Sequence, residues 1–404
     1  MTTPWTAEDV RRIDLGEISV APIIAEIDRS GLSPDILYWD MWPLQRPDGR
    51  IAKVNGREFW MVLAAPDRGD PGLRHFEAKI HLLERCNGSW ADLGPVLPNA
   101  NVPYEREWAG SAYLEGDRVS LYFTGAGVAD RPHGYQQALY EAHAWLGADG
   151  QPANWSLPAK SISAPTALYM AADAHEGEAG KIKAFRDPAY FRDPADEAEY
   201  LVFTASLAGS ASDYNGAVGI ARKGANGWEL LPPLVHADGV NNELERAHIV
   251  AANGLYYVFW VTQRGTFDPQ LRHAPNGLYG MVSDHLFGDY RPLNGTGLVL
   301  ANPETAPTQA YSWFVSADLV VASFVDQWGP DGSQFGGVPA PLLRLALDGE
   351  RCRLVELLPA RWVTICHCLE ALRRAAQNVF SRSARAPMPF MRGTVCPPDR
   401  LPRR

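Results

Sequence analysis

Little in this 404-residue chain points to a disulfide framework, a membrane span or a nucleic-acid surface. It has five cysteines, and Cys352, Cys366, Cys368 and Cys396 lie beyond residue 350, leaving only Cys86 in the body of the chain. No covalent staple therefore covers the body. Cys366-His367-Cys368 is spaced too tightly for a zinc knuckle, and no second cysteine pair follows at a usable distance, so no metal is expected there. No apolar run is long enough to span a membrane, and the opening MTTPWTAEDVRRIDLGE carries charges where a secretory leader needs an apolar core. A net charge of −10 argues against nucleic acid as a partner, because phosphate binding relies on clustered Lys and Arg. Amphipathic helical spacing is scarce too, confined to 7–13 and 368–380 near the two ends.

What the chain does hold is aromatic and β-branched strand. Thirteen Trp and fifteen Tyr offer flat faces for sugar rings, although most of them belong in a core. EFWMVLAA (58–65), RVSLYFTGAG (118–127), EYLVFTASL (199–207), LYYVFWVTQ (255–263) and LVVASFVDQW (319–328) are bounded by Gly, Asp, Asn and Pro. That pattern reads as short antiparallel strands joined by turns, hence an all-β fold. A weak repeat lies beneath it. NGSWADLGPVLP (87–98), NGWELLPPLV (226–235) and GDYRPLNGTGLVL (288–300) share a turn, an aromatic and an apolar stretch with Pro. Four-stranded units with aromatic-marked turns suit a β-propeller, and about 300 residues at roughly 50–60 per unit make five or six blades. A β-sandwich pair remains the competing architecture.

From Arg361 onward the composition shifts to nine Arg, no Lys and two acids, Glu370 and Asp399. Residues 361–404 read as a basic extension, a short helix followed by poorly ordered chain. Residues 1–360 read as the main domain, with a helical lead-in over 1–35.

Three acidic sites stand out. In YWDMWPL (38–44) Asp40 is flanked by Trp39 and Trp42. An acid among large apolar groups is costly unless its charge is used, although Asp40 capping a turn before Pro43 is an equal reading. The second site is a doubled tetrapeptide, AFRDPAYFRDP at 184–194. Asp187 continues into an apolar stretch and reads as a buried edge; Asp193 continues into a polar turn and reads, with Arg192, as solvated. The third is NNELERAHIVAANG (241–254), where strand alternation puts Glu243 and Glu245 on one face. Paired carboxylates raise each other's pKa, which suits a proton donor. Arg246 falls on the opposite face unless a bulge intervenes. His248 shares the glutamates' face, where a lone His more often satisfies hydrogen bonds than catalyses.

Trp-Asp-x-Trp-Pro (39–43), Arg-Glu-Trp-Ala-Gly (106–110), Phe-Arg-Asp-Pro (185–188), Glu-Leu-Glu-Arg-Ala (243–247), Pro-Leu-Asn-Gly-Thr-Gly-Leu-Val-Leu (292–300) and Tyr-Ser (311–312) occur in this order. On these motifs the chain, from about 5 to 359, resembles glycoside hydrolase family 68, the levansucrases, inulosucrases and bacterial β-fructofuranosidases. The resemblance implies a five-bladed β-propeller with a central funnel-shaped pocket for sucrose. It implies Asp40 as nucleophile, Asp187 as transition-state stabiliser and Glu245 as general acid/base. Trp39 and Trp108 would line the fructosyl pocket and Arg186 would grip sugar hydroxyls. Glu243 and Arg264 would bind the glucosyl unit or the acceptor, and Tyr311 would complete the acceptor wall.

The chain departs from the family pattern at Met41, where Thr or Ser is usual, and at Trp313, where His is usual; both are expected to reshape the pocket rim. Relatives often bind calcium near the catalytic strands. Here Asn215 suits that site, but Lys181 and Asn242 stand where those relatives have Asp, so no metal and no cofactor are expected. The expected partners are sucrose and fructan or sugar acceptors, with transfer and hydrolysis both open. A non-catalytic sugar-binding propeller and an arabinosyl- or xylosyl-cleaving relative are the competing functions. An extracellular or periplasmic location without a conventional signal is expected, a cytoplasmic one being the alternative.

Overall fold

The structure, a computed structural model, describes residues 2–16, 18–162, 167–176, 181–329 and 331–358. The expected basic extension at 361–404, with its helix at 368–380, lies outside the described residues. Among those described, no helix is long and apolar enough to cross a membrane.

The fold is all-β. Strands Ile36–Gln45, Arg57–Pro66, Lys79–Cys86 and Ser89–Pro95 pair antiparallel in sequence order. The same meander recurs with Arg106–Glu115, Arg118–Ala126, Gln137–Leu146 and Pro152–Ala153. It recurs again with Phe185–Arg192, Glu199–Ser206, Gly216–Gly224 and Gly227–His236. A fourth copy runs through Glu245–Ala252, Leu255–Thr262, Gly277–Ser283 and Leu298–Ala301. The last comprises Ala310–Val315, Val320–Trp328, Leu343–Asp348 and Arg351–Leu357. The three repeated turn motifs fall in the outer halves of the first, third and fourth meanders, where the repeat was legible. Parallel pairing of Leu44 with Ala112 and Gln45 with Tyr113 joins the first two meanders into one sheet.

The leading strands are buried almost throughout rather than in alternation; in Phe185–Arg192 only Arg192 is partly exposed. Both faces of such a strand meet other sheets, so the chain must be apolar or fully hydrogen-bonded on each. Aromatics fill the gaps between meanders. Tyr113 and Tyr190 stack at 3.8 Å between ring centroids, and Trp5 packs edge-on against Trp260 at 5.3 Å.

The expected helical lead-in over 1–35 is, among the described residues, mostly irregular chain. Its one described helix, Ala7–Arg11, is held by a capping box between Thr6 and Asp9. On either side, Thr3 and Pro4 pair in parallel with Val235 and His236, and Ser19 and Val20 with Leu300 and Ala301. Two sheet edges that would otherwise be open take up this segment, and edge pairing wins over helical spacing.

Candidate active site

Each leading strand breaks register with its neighbour at one place. The breaks fall between Trp39 and Met41, Trp108 and Gly110, Arg186 and Ala189, Glu245 and His248, and Tyr311 and Phe314. These are β-bulges, which re-aim side chains. At four of them the residue inside the bulge has a positive φ without being glycine: Asp40 (42°), Asp187 (57°), Arg246 (54°) and Ser312 (59°). Each such conformation costs roughly 1–2 kcal/mol and persists only where the surroundings impose it. At the fifth, a Cβ on Gly110 would lie 1.8 Å from the Tyr122 carbonyl oxygen, so the close approach there demands glycine.

The five bulges converge. Trp39 with Asp40, Trp108 with Ala109, Arg186 with Asp187, Glu245 with Arg246, and Tyr311 with Ser312 all line one cavity of about 440 Å³. That is ample for a small-molecule site. The strands therefore present pairs of side chains, one pair per meander, where strict alternation would turn every second one away.

Arg186 organises the charges. Its Nη2 lies 2.8 Å from Glu245 Oε1 and 3.1 Å from Glu243 Oε1, and its Nε lies 3.6 Å from Asp187 Oδ2. Burial works against the Arg186 charge, but Glu243, Glu245 and Asp187 outweigh it and raise its pKa. Tyr311 donates its hydroxyl proton to Glu245 Oε2, so that carboxyl is gripped from both sides. Thr204 donates to Asp187 Oδ2 at 3.1 Å, and the Asp187 N–H donates to Thr124 Oγ1 at 2.8 Å. Arg246 lies deeper. It donates to the Met41 carbonyl at 3.2 Å and its guanidinium sits 5.3 Å from the centre of the Trp42 ring.

Desolvation dominates the acids. Burial pushes Asp187 up to about 6, with Arg186 and Arg246 opposing and Glu245 and Asp40 reinforcing. Glu243 rises to about 7 by burial, against the pull of Arg186 and with the push of Glu245. Asp40 is raised as well by burial, with Arg246 the main counterweight and Ser312 a hydrogen-bonding one. Five carboxyls and three guanidinium groups line the cavity, so these acids cannot all ionise easily.

A family model described as Levansucrase/Invertase matches residues 1–217 and 208–358. The chain belongs to this family. A levansucrase of Pseudomonas syringae pv. actinidiae is 30% identical over 405 residues, covering 88% of this chain and 91% of its own. A levansucrase of Erwinia amylovora is also 30% identical, covering 88% and 94%. The solved structure of an inulosucrase from Halalkalicoccus jeotgali bound to kestose superposes with a TM-score of 0.80. It is 35% identical and covers 90% of this chain and 97% of that one.

Within this levansucrase/invertase chain, Asp40, Asp187, Glu245, Trp39, Trp108, Arg186, Glu243 and Tyr311 come together in the one cavity. Arg264 does not line it. It is exposed in the 3-10 turn Arg264–Thr266, with its N–H donating to Asn276 Oδ1 at 2.8 Å. Gln263 and Thr266, on either side of it, line the wall instead. Met41 and Trp313 are fully buried in the core rather than at the rim; the bulges turn their neighbours Asp40 and Ser312 into the pocket and send them the other way. His248 likewise leaves the glutamates' face after the bulge. It is buried, bonded at Nδ1 to the Arg246 carbonyl at 2.7 Å, and accepts from the Val315 N–H at 2.9 Å. Burial lowers its pKa to about 3, so it is a neutral core histidine.

Asp193 is not solvated. It is buried, accepts from the Tyr256 hydroxyl at 2.6 Å and from the Ala195 N–H at 2.9 Å. Arg192 is half-buried and paired with Glu115 at 2.8 Å. The polar turn was read from its own residues alone, and Tyr256 arrives from the next meander to cover it.

At the Asn215 and Asn242 positions, where no calcium is expected, the side-chain oxygens are held by Lys183. Lys183 Nζ donates to the Asp213 carbonyl at 2.7 Å, Asn215 Oδ1 at 2.8 Å and Asn242 Oδ1 at 3.3 Å. An ammonium amid neutral oxygens does not fit a calcium site, which relies on carboxylates. No cluster of three or more His, Cys, Asp or Glu suited to a metal occurs among the described residues.

Arg246 was missed because period-two alternation puts it on the opposite face, and Ser312 entered only as part of the Tyr-Ser motif. Arg74 and Asp326, which also line the cavity, come from the short helix Arg74–Glu77 and from the strand Val320–Trp328, neither of which was read as a site.

Proposed function

We propose that this protein is a sucrose-cleaving fructosyltransferase of the levansucrase type, built as a five-bladed propeller whose blades are the five meanders. The observation that carries the reading is that Asp40, Asp187 and Glu245, from three separate bulges, line one cavity with Glu245 held between Arg186 and Tyr311. Two positioned carboxyls are the requirement of a retaining glycosidase.

Asp40 attacks the anomeric carbon of the fructosyl unit while Glu245 protonates the departing glucosyl oxygen. Burial raises the neighbouring Glu243, which shares Arg186 with Glu245, to about 7. A covalent fructosyl-enzyme results, and Glu245, now a base, activates the acceptor. Asp187, fixed by Thr204 and the Arg246 N–H at 3.4 Å, holds fructosyl hydroxyls and favours the oxocarbenium-like transition state. Trp39 and Trp108 provide ring faces, and Arg186, Glu243 and Tyr311 form the wall toward the leaving glucosyl unit. Water as acceptor gives hydrolysis, and a sugar or growing fructan gives transfer.

The alternative is a β-fructofuranosidase that mainly hydrolyses, since one pocket serves both outcomes. A full-length β-fructofuranosidase from Microbacterium saccharophilum K-1, 25% identical with a TM-score of 0.76, shares the fold. Measuring free glucose against free fructose from sucrose decides between them. An excess of glucose means transfer, equal amounts mean hydrolysis, and no glucose at all rejects the activity. Because the substrate is met mainly outside the cell, we place the protein in the extracellular or periplasmic space. Export of the active enzyme into the medium or periplasm checks this, and activity retained in the cytoplasm contradicts it.

A further inference from the structure

One wall of the cavity plays no part in the mechanism above. The segment formed by Pro71–Leu73 and Arg74–Glu77 follows the second strand of the first meander and brings Gly72, Arg74, His75 and Phe76 to the pocket. The Arg74 guanidinium lies 4.2 Å from the centre of the Phe335 ring and 5.5 Å from that of Trp39. Its Nη1 donates to the Pro71 carbonyl at 2.6 Å. Its Nε is buried and has no hydrogen-bond partner among the described residues. Such an orphaned donor costs stability unless something else binds it.

Asp326 lies on the same cavity wall. It sits where Val320–Trp328 breaks register with Gln334–Pro339, between Val325 and Gln327, and its N–H donates to the Gln309 carbonyl at 2.9 Å. Burial pushes its carboxyl up to about 6, with Arg74 opposing. Burial pulls Arg74 down, with Asp326 and Asp40 opposing in that order. A bulge again brings a charged group to the pocket, here beside a cation from another element.

We infer that Arg74 and Asp326 form a hydroxyl-binding wall for the fructosyl ring, on the side of Asp40 built by the first and fifth meanders. Arg74 supplies donors and Asp326 an acceptor, the pairing that vicinal sugar hydroxyls require. The fructosyl unit is the one held because Arg74 lies against Trp39, the immediate neighbour of Asp40, and Asp40 must touch the fructosyl anomeric carbon. The inference rests on the sucrose-cleaving reading.

The test uses the purified full chain with sucrose and with raffinose, which carries the same fructosyl unit but a longer leaving group. Arg74→Met should raise KM about tenfold or more on both substrates by the same factor, the size of a lost charge-assisted hydrogen bond. Arg74→Lys should recover part of this. Asp326→Asn should raise KM at least threefold, and adding it to Arg74→Met should cause little further loss, as expected for one coupled pair. If Arg74→Met does not fold, Arg74→Lys and Asp326→Asn carry the test. KM within twofold in the folded variants, or a loss on sucrose that raffinose does not show, overturns the inference. Absence of sucrose cleavage by the unaltered protein would instead overturn the reading on which it rests.

Discussion

The two copies of Phe-Arg-Asp-Pro end the same strand at opposite sides, and their aspartates are buried to the same degree, each 7% exposed. Asp187 lies inside a bulge at φ 57°, beside Arg186 and Thr204, in a pocket with four other carboxyls. Asp193 leaves the strand in a turn, with its oxygen satisfied by Tyr256 and by the turn itself. Neither the tetrapeptide nor burial separates the two. Backbone strain and unneutralised like charge do, because a fold retains those costs only where they serve a site.

The largest effect expected from this contrast is on turnover. Asp187→Asn should lower kcat for glucose release from sucrose by about 10³-fold or more, the scale of losing a preorganised transition-state partner. Asp193→Asn should leave kcat within about threefold. Comparable losses at both positions would erase the distinction.

Stability should respond the other way. Asp193→Ala removes the acceptor for a buried Tyr256 hydroxyl and should cost about 1–3 kcal/mol in denaturant unfolding. Tyr256→Phe should cost less, and the double variant little more than Asp193→Ala alone. Full additivity would mean the two side chains are not coupled.

A smaller effect concerns pH. Glu243 and Asp187 hold protons more tightly in the native state than their ordinary values allow, at about 7 and about 6. Their protonated forms are favoured by folding, so their contribution to stability is full below about pH 4 and is lost as pH rises through 6 to 7. Glu243→Gln removes one of these titrations. Its Tm should match or trail the parent near pH 4.5 and exceed it by pH 8, a gain of about 1–2 kcal/mol. A Tm difference independent of pH would contradict the strained-charge account.

Much of this was legible in the chain. The strands at 58–65, 118–127, 199–207, 255–263 and 319–328 were set by aromatic and β-branched runs, and the structure places strands at each. Trp39, Trp108, Arg186, Glu245 and Tyr311 were found through motifs, and each proves to be the residue leading into a bulge. The residues inside or just beyond the bulges were read less well. Arg246 and His248 were placed by strict alternation, and one inserted residue reverses the faces that follow it; Met41 and Trp313 were put at the rim from the family pattern, and both are buried in the core. Asp193 was misplaced because the residue that buries it lies 63 positions away. Arg74 and Asp326 had no local signal, since their meeting depends on how the first and fifth meanders sit around the cavity.

The central claim is that a bulge-held Asp40 becomes the bond partner of the sugar. Rapid acid quench of the unaltered protein during sucrose turnover, followed by peptide mass analysis, tests it directly. The prediction is a peptide containing Asp40 heavier by one fructosyl unit, absent in Asp40→Asn along with glucose release. An adduct on another residue, or an Asp40→Asn variant that still turns over sucrose, would contradict it.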